Sequence, residues 1–410
     1  MDVNVRKIIS TKFPCLYYRL CNIKFALWRI KAHILAGFKR SRLSNGDIYW
    51  INPAKIKYLR IDAISRRINF RKKILGGNWD RNVLLIRELD FYESLKKSLV
   101  EKIYSSSKSN YLTSKEKING IINKSNQNLL QDFKEIQETV FSSPIIRENN
   151  KPQYRFSNPS KTASGELLVS IDRKGALLLE SGLESYALYE LLELEKVPVK
   201  VLFRHREWDK FRCEVRCIAH KRGGKLYQPI DHLDFMYFPV DHDDFRYKLI
   251  AENLPFKSGT LLDIGAYWGY FVGKFEDIGF DCYAIDHSEQ ECYFMNKIKC
   301  ALNKNFTVIH QDVLDFFEKC EYDVILALNI FHHFLKTKKT FDKLKYLLNR
   351  LKAEVMFFEP HSPEEEHMKD AYKNFSNEDF IEFIVKNSSF KKSDFLGHCP
   401  DRRPIYRLSV

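Results

Sequence analysis

A stretch in the C-terminal half of the chain, Thr260 to Tyr270, combines the residue types that hold a polar cofactor. It reads TLLDIGAYWGY: a short apolar run ends in Asp263, and glycines follow at Gly265 and Gly269. This pattern is typical of a buried parallel strand that passes through a tight loop into a helix. In that arrangement backbone N–H groups and a helix N-terminus approach a polar ligand closely. The stretch therefore predicts a cofactor pocket.

The segments around this stretch alternate between apolar strands and helical patterns. The strand-like runs are LLDIG, FDCYAIDHS, FTVIHQD, YDVILALNI and AEVMFFEPH, and the chain closes with a helix over 375–387 and a hairpin around Pro400 to Arg403. Strands and helices that alternate at this spacing give a parallel sheet with helices on both faces. The predicted fold class is α/β, with residues 235–410 forming a Rossmann-like sheet that ends in an antiparallel hairpin.

With its motifs in this order, the segment 240–410 resembles the class I S-adenosylmethionine (SAM)-dependent methyltransferases, in which a terminal hairpin closes the parallel sheet. The resemblance implies that SAM is the cofactor. It also implies that Asp263, Gly265 and Gly269 belong to the family's acidic-x-Gly-x-Gly-x-Gly loop, with Tyr267 in place of the middle glycine. That replacement predicts a loop that is tighter for the ligand or slightly rerouted.

The resemblance also assigns cofactor contacts to the ends of the following strands. Asp286, 21 residues beyond Gly265, is where the family holds the ribose hydroxyls with a carboxylate. NAD enzymes place theirs at much the same position, so this residue alone does not choose the cofactor. Asp312 is the expected acceptor for the adenine amino group, Val313 packs on the ring, and Asn329 lies beside the methyl-transfer point. An NAD site would need a full G-x-G-x-x-G, which this chain lacks.

Polar residues follow the fourth and fifth strands, where a methyl acceptor would lie. His332 and His333 come after the fourth strand, and Glu359 ends the fifth. A histidine with a pKa near neutrality suits removal of a proton from a hydroxyl or an amine. Because the two histidines are adjacent, at most one is expected to face the methyl group, while the other caps a helix or packs on the sheet. Glu359 could bind a cationic or hydroxylated substrate, or orient the catalytic histidine.

The residues after the fourth strand also restrict the class of methyl acceptor. Enzymes that methylate base amino groups carry an Asn/Asp-Pro-Pro-aromatic run, and this chain has Asn329-Ile330-Phe331-His332 instead. No Pro-Cys motif for C5 methylation is present either. The resemblance therefore implies transfer to a hydroxyl of a small-molecule, glycan or lipid-linked acceptor, with a less common RNA site left open. No metal is expected for this chemistry.

A smaller α+β domain is predicted for residues 45–234. Within it, residues 167–203 form a compact α/β element in which LLVSID, ALLLES and VPVKVLF read as strands, with a helix from Leu183 to Leu194 before the last of them.

This region resembles the ParB-like fold shared by ParB partition proteins and sulfiredoxin. The resemblance covers residues 171–208 and, more loosely, GGNWD at 76–80. In that family a glycine and a His-Arg pair at a helix start face nucleotide phosphates. This chain keeps the glycine as Gly182 but has Glu184 and Ser185 where the pair would fall. A carboxylate repels phosphate, so the resemblance implies a degenerate domain that has lost the nucleotide chemistry.

The basic character of the chain is concentrated in an N-terminal arm, residues 1–44. This segment holds ten Lys and Arg residues against one acid, and so supplies +9 of the formal net charge of +14. Its loosely amphipathic pattern predicts a helical arm. Such an arm could contact nucleic acid, an anionic membrane surface or an acidic partner, or could be a solvated helix that packs on the protein.

The composition favours an intracellular globular protein. Nine cysteines show no paired CxxC spacing, which fits a reducing compartment. No uncharged apolar run reaches the roughly 18–20 residues that span a bilayer, so a cytoplasmic location is expected, with peripheral attachment to a membrane left open. Two alternatives to methyl transfer remain: a nucleic-acid-binding or RNA-modifying protein that uses the basic arm, and a non-catalytic module that has kept the fold.

Overall fold

The computed structural model describes residues 27–28, 48–60, 74–81, 83–89, 92–97, 167–191, 194, 196–316 and 321–410. The chain divides into two compact units, one of residues 36–213 and one that joins residues 1–35 to 214–410. Most of the basic arm that the sequence predicts lies outside the described residues. The domain boundaries after residues 44 and 234 stay predictions.

A mixed sheet forms the framework of the unit at 36–213. Its described strands and helix are β1 (Ile48–Ile51), β2 (Ile56–Arg60), β3 (Ile74–Leu75), β4 (Val83–Leu85), β5 (Leu167–Ile171), β6 (Leu177–Ser181), α1 (Leu183–Leu191) and β7 (Val197–His205). The strand order is β1-β7-β5-β6-β2-β4, with β3 also paired to β7. Strands β5 and β6 form an antiparallel hairpin and β7 returns parallel to β5, so the predicted α/β element is confirmed. The resemblance to ParB-like domains stays a prediction.

Two ion pairs, one fully buried and one partly exposed, link the strands and turns of this sheet. Arg60 on β2 donates from Nε to Glu180 on β6 at 2.7 Å, and both side chains are almost fully buried. In the turn between β5 and β6, Arg173 donates from Nε to Asp80 at 2.7 Å. Although burial raises the pKa of Asp80, the hydrogen bonds from Arg173 lower it below its ordinary value. These charged groups therefore hold the sheet and its turns together.

The other unit carries a sheet whose first five strands are parallel. Its elements are α2 (Arg206–Lys221), which crosses the division, α3 (Phe245–Glu252), β8 (Gly259–Ile264), α4 (Tyr270–Asp277), β9 (Phe280–Asp286), α5 (Glu289–Ala301), β10 (Thr307–His310), β11 (Glu321–Leu328), α6 (Lys338–Arg350), β12 (Lys352–Glu359), α7 (Asn377–Lys386), β13 (Lys392–His398) and β14 (Pro404–Ser409). The strand order is β10-β9-β8-β11-β12-β14-β13. Strand β14 runs antiparallel to β12 and β13. The predicted Rossmann-like sheet with a terminal antiparallel hairpin is confirmed.

Apolar side chains cover both faces of this sheet. Leu261 packs in one buried cluster, whereas Leu262 and Ile264 pack in the other. Successive side chains of a strand point to opposite faces, which explains why the parallel strands read as continuous apolar runs. Because parallel strands end at a common edge, the loops that follow β8 to β12 meet there. No helix in the described ranges is long and apolar enough to cross a bilayer.

Candidate functional site

A cavity of about 590 Å³ lies at the edge of the sheet where the parallel strands end. Loops that follow β8, β9, β10 and β11 supply much of its wall. Ligands of open α/β sheets bind at this edge. Seven of the eight residues that the sequence predicts for the cofactor are in the wall: Asp263, Gly265, Tyr267, Asp286, Asp312, Val313 and Asn329.

The loop after β8 uses left-handed backbone at three positions. Gly265 has φ 74°, and Gly269, which precedes α4 and is not in the cavity wall, has φ 78°. A Cβ atom at Gly265 would lie 2.7 Å from Cδ1 of Ile330, and one at Gly269 would lie 2.9 Å from Cγ of Met295. Tyr267 has φ 54°, which side chains larger than glycine rarely adopt. The loop thus keeps a glycine-like backbone at Tyr267, whereas the sequence predicts a tighter or rerouted loop.

Two carboxylates in the wall are oriented by backbone N–H groups. Asp286 accepts from the N–H of Tyr267 at 3.2 Å through Oδ2 and from a second N–H at 2.9 Å through Oδ1. Asp312 caps a short 3₁₀ helix, and its Oδ1 accepts from the N–H of Leu314 at 2.9 Å. Each side chain is therefore held in place at the end of its strand.

A column of aromatic rings supports the strained residue Tyr267. Its ring stacks on Trp268 with centroids 5.0 Å apart, and Trp268 stacks on Phe294 at 4.6 Å. Tyr227 meets the ring of Tyr267 edge-on, with centroids 5.1 Å apart, and the centroid of Trp28 lies 6.3 Å from that of Phe294. Aromatic pairs of this kind contribute about 0.5–1.5 kcal/mol each beyond area burial. Together they offset the roughly 1–3 kcal/mol that a left-handed tyrosine costs.

Asp263, at the carboxyl end of β8, is an unusual buried acid. It is 3% exposed, and its Oδ2 atom has no hydrogen-bond partner among the described residues. Burial, followed by the charge of Asp286, raises the pKa of Asp263 to about 7, although Arg246 opposes the shift. The cavity wall therefore contains a carboxyl group that changes its charge near neutral pH.

Arg246 on α3 is a wall residue that the sequence did not identify. Its Nη1 donates to Oε2 of Glu359 at 2.8 Å, and the two residues are 3% and 0% exposed. Within the described part of the chain, Nε and Nη2 of Arg246 have no hydrogen-bond partner. Burial lowers the pKa of Arg246, but the charge of Glu359 raises it above its ordinary value, and the nearby Tyr227 hydroxyl adds to that effect. One arginine in a helix looks like part of a solvated face, so no sequence signal marked it.

Glu359 ends β12, as the sequence predicts, but its side chain is not part of the cavity wall. It is fully buried against Arg246 and does not line the cavity, although the sequence suggests a catalytic or substrate-binding role. Burial raises the pKa of Glu359, and Arg246 opposes that shift. The structure therefore gives Glu359 the position of a residue that holds Arg246.

The adjacent histidines fall on different sides of a 3₁₀ helix at Phe331–Leu335. His333 lines the cavity, whereas His332 is 3% exposed and does not. His332 packs on His333 and His361, with ring centroids 4.0 and 5.3 Å away. Burial lowers the pKa of His332. The pKa of His333 is also lowered, by the protein atoms packed around its ring and by the positive charge of Lys336, although the residue keeps an exposed face. The structure thus brings His333, and not His332, to the cofactor residues.

Another wall segment that the sequence did not identify lies between α2 and α3. It contributes Arg222, Tyr227 and Gln228. Gln228 is 7% exposed, and its Oε1 atom has no hydrogen-bond partner in the described ranges. The sequence offers no motif in this segment, because its residues are placed by a loop and not by a periodic element.

Three side chains with metal-ligand atoms lie close together beside the cavity. Atoms of Glu359, Cys399 and Asp401 are within 4.8 Å of one another. Arg246 already pairs with Glu359, and Arg403 lies 3.8 Å from Asp401, so the negative charges have cationic neighbours. The expectation that the protein needs no metal stays a prediction.

The unpaired buried atoms of the wall show what kind of ligand fits it. Asp263, Asn329 and Gln228 each have an oxygen without a hydrogen-bond partner among the described residues, and Arg246 has two such nitrogens. Buried polar groups in folded proteins are nearly always paired. A ligand that carries both positive and negative charge, as SAM does, would pair both kinds of atom. The residues present therefore fit SAM.

Residues 242–389 match the sequence model of a family described as a methyltransferase domain. They are a SAM-dependent methyltransferase domain. Its matched region begins just before α3 and includes the glycine loop and every strand of the parallel sheet. The roles of the individual site residues stay predictions.

The chain is also similar to solved structures. One is the bifunctional kinase-methyltransferase WbdD, at 18% identity over 45% of this chain and 44% of that chain, with a TM-score of 0.35. Another is N-methyltransferase NodS from Bradyrhizobium japonicum WM9, at 14% identity over 40% of this chain and 92% of that one, with a TM-score of 0.33. A third is magnesium protoporphyrin IX methyltransferase (ChlM) from Synechocystis PCC 6803 with bound SAM, at 16% identity over 48% of this chain and 83% of that one, with a TM-score of 0.31.

The chain spans about two fifths of the length of the WbdD chains it matches. A search of curated protein sequences found no match. The assignment of the methyltransferase domain therefore depends on the family match and on the geometry of the site.

Replacing Gly265 by alanine is expected to damage the cofactor loop. The new methyl group would occupy a left-handed position and meet the side chain of Ile330, which also lines the cavity. We expect a loss of about 1–3 kcal/mol in the free energy of unfolding and weaker SAM binding. Urea denaturation and titration calorimetry measure the two effects. Gly273→Ala is the matched control, since a Cβ there meets only Phe306 at 3.9 Å within a helix; equal effects at both glycines would contradict the prediction.

Proposed function

We propose that this protein transfers a methyl group from SAM to a hydroxyl group of a small-molecule, glycan or lipid-linked acceptor. The observation that carries the proposal is the position of His333 in the same cavity wall as the glycine loop and the strand-end acids. When bound, SAM supplies an electrophilic methyl group on a sulfonium centre. The family's roles for Asp286 at the ribose and for Asp312 and Val313 at the adenine agree with their positions in the wall.

In this proposal His333 is the group that removes a proton from the acceptor. Its lowered pKa keeps the imidazole neutral at pH 7, and only the neutral ring accepts a proton. The neighbouring Lys336, with Nζ 3.4 Å from Nδ1 of His333, disfavours the charged ring further. A hydroxyl acceptor needs such a base more than an acceptor that is already ionised.

The proposal is tested by labelling a cell extract with SAM that carries a radioactive methyl group. The product is then separated into lipid, glycan, RNA, protein and small-molecule fractions. Label in a hydroxyl-bearing lipid, glycan or small molecule supports the proposal, and label in RNA would replace it with the RNA-modifying alternative. SAM binding without any labelled product in extracts that contain every fraction would indicate a non-catalytic module.

His333→Gln is expected to lower the rate of methyl transfer by about 10²–10⁴-fold, the usual contribution of a general base. SAM affinity should change little, because the substitution keeps a polar side chain in the wall. Label incorporation and titration calorimetry measure the two quantities. His398→Gln, at an exposed histidine on β13 outside the cavity wall, is the control. A rate that survives His333→Gln would exclude His333 as the base.

We also propose that the basic arm brings the enzyme to an anionic surface. Its support is the charge of +9 over residues 1–44, which would attract the head groups of an acidic membrane or the phosphates of a nucleic acid. Peripheral attachment to a membrane and a cytoplasmic location belong to this proposal. Binding to anionic vesicles or to RNA that weakens steeply with salt and disappears without residues 1–44 would support it.

A further inference from the structure

A turn in the terminal hairpin brings a thiol and a carboxylate to the end of β12. The turn joins β13 to β14 and contains Cys399 and Asp401. Atoms of these two residues and of Glu359, which ends β12, lie within 4.8 Å of one another. Cys399 and Glu359 are 4% and 0% exposed, whereas Asp401 is exposed. The three side chains thus form a cluster that is enclosed by protein at Cys399 and Glu359 and reaches solvent at Asp401.

The backbone of the turn fixes the spacing of Cys399 and Asp401. The N–H of Cys399 donates to the carbonyl of Arg403 at 2.8 Å, and the N–H of Arg402 donates to the carbonyl of Cys399 at 2.8 Å. Asp401 is held in addition, because its Oδ1 accepts from the N–H of Arg403 at 3.3 Å. Strand β14 joins the hairpin to β12, which keeps the turn beside Glu359. The side chains are therefore positioned before a ligand binds.

One oxygen of Glu359 has no hydrogen bond. Its Oε2 accepts from Nη1 of Arg246 at 2.8 Å, whereas Oε1 is buried and has no partner among the described residues. Buried polar groups in folded proteins are nearly always paired, and a buried acceptor without a partner is unfavourable. Cys399 is a weak donor and an ionised Asp401 is an acceptor only, so neither side chain satisfies this oxygen. A cation would pair with all three groups.

The charged groups around the cluster carry one negative charge in excess. Arg246 pairs with Glu359. Arg403 lies between two carboxylates, with Nη2 2.9 Å from Oε1 of Glu365 and Nη1 3.8 Å from Oδ2 of Asp401. Three carboxylates thus face two guanidinium groups. A divalent cation that displaces the thiol proton into the solvent adds one positive charge, which makes the group neutral.

The types of ligand atom favour zinc. Mg²⁺ and Ca²⁺ take oxygen ligands, whereas Zn²⁺ is bound by thiolate sulfur, imidazole nitrogen and carboxylate oxygen. Zn–O and Zn–S bonds of about 2.0–2.3 Å place the ligand atoms of one ion up to roughly 4 Å apart, so the three side chains need only small rotations. Nδ1 of His242 lies 3.8 Å from Oδ2 of Asp401, which brings an imidazole nitrogen close to the cluster as well.

We propose that Glu359, Cys399 and Asp401 bind one Zn²⁺ ion, with Glu359 coordinating through the oxygen that does not accept from Arg246. The ion joins the hairpin turn to the end of β12 and takes no part in the methyl transfer proposed above. Cys399 and Asp401 lie beyond residues 242–389, so the family match does not include two of the three ligands.

The test adds Zn²⁺ to the full-length protein after dialysis against a chelator and follows binding by titration calorimetry. One ion per chain should bind, and the midpoint of thermal unfolding should rise with the zinc concentration, because the ion binds the folded protein. Co²⁺ in place of Zn²⁺ should give the near-ultraviolet absorption band of a cobalt–thiolate bond, which reports directly on a cysteine ligand.

Cys399→Ser and Asp401→Asn should each weaken zinc binding by more than about 10–100-fold, which is the usual loss when only an outer partner of a metal ligand is removed. Both substitutions nearly keep the size of the side chain, and asparagine keeps an Oδ1 atom for the N–H of Arg403. Cys300→Ser, at an exposed thiol on α5, is the matched control and should bind zinc as tightly as the unmodified protein. Thermal melts without zinc check that each variant folds.

Two results would overturn the site. One is a titration of the unmodified protein that shows no saturable binding of zinc. The other is equally tight binding in the Cys399→Ser, Asp401→Asn and Cys300→Ser proteins, which would place the ion elsewhere in the chain. Because the proposed methyl transfer does not use this ion, either result leaves the proposed function intact.

Discussion

Asp263→Asn is expected to raise the free energy of unfolding of the ligand-free protein and to lower its affinity for SAM. The pKa of Asp263 is raised from 3.8 to about 7, mainly by burial. The folded protein therefore keeps a proton that the unfolded chain releases, so the stability from this residue falls as pH rises from about 4 to about 7 and is constant above that. Between these two pH values the free energy of unfolding falls by at most about 4 kcal/mol because of this residue. Asparagine has the shape of the neutral acid and carries no such penalty.

Denaturant titrations of both proteins between pH 4 and pH 8 measure this effect. The advantage of the asparagine variant should grow up to pH 7 and then level off. A variant that is less stable than the parent at pH 8 would mean that the ionised carboxylate is held by a favourable partner, contrary to the prediction.

Folding favours the protonated form of Asp263, whereas SAM binding should favour its ionised form. An ammonium group nearby favours the ionised carboxylate, so SAM binding to the parent should release a proton below pH 7 and weaken as the pH falls, by at most about tenfold per unit. Calorimetry in buffers with different ionisation enthalpies counts the protons. In Asp263→Asn the affinity should be low and nearly independent of pH between 6 and 8.

Glu359→Gln is expected to reduce the free energy of unfolding by about 3–5 kcal/mol, because it leaves the guanidinium of Arg246 buried without a counter-charge. Glu359 is 0% exposed and Arg246 3% exposed, so the ion pair is shielded from bulk solvent. The double variant Arg246→Gln/Glu359→Gln should recover much of the stability. Urea denaturation of the two single variants and the double variant gives the coupling between the residues.

The same experiment distinguishes two interpretations of Glu359. If Glu359 reacts with or binds the acceptor, the Glu359→Gln protein should have a lower turnover rate and an unchanged free energy of unfolding. If Glu359 holds Arg246 in place, its substitution should lower the free energy of unfolding. The second substitution, at Arg246, should then restore much of that free energy. Normal stability of Glu359→Gln would favour the catalytic role that the sequence suggested.

The elements of the methyltransferase domain could be predicted from the sequence because its strands are apolar on both faces and its helices are amphipathic. The same periodicity placed Asp263 and Asp286 at strand ends, where a cofactor site forms. It could not place side chains in irregular backbone. His332 and His333 are neighbours in the sequence, and only the 3₁₀ helix at Phe331–Leu335 turns one inward and the other to the cavity.

Residues that reach the site from outside the strand ends could not be found in this way. Arg246 lies on a helix that precedes the first strand, and Gln228 lies in a loop before that helix. Neither has a spacing that distinguishes it from a surface residue. What marks them is burial without a hydrogen-bond partner within the described residues, which depends on the packing of distant segments.

The aromatic column has a thermodynamic consequence for the N-terminal arm. Tyr267 lines the cavity, and its ring is joined through Trp268 and Phe294 to Trp28, which belongs to the arm. If a cofactor shifts the Tyr267 ring, the energy of the Trp28 contact changes with it. Reciprocity then requires that a partner that alters the packing of Trp28 change the cofactor affinity by the same factor. Cofactor loading and engagement of the arm would then be two coupled equilibria of one enzyme.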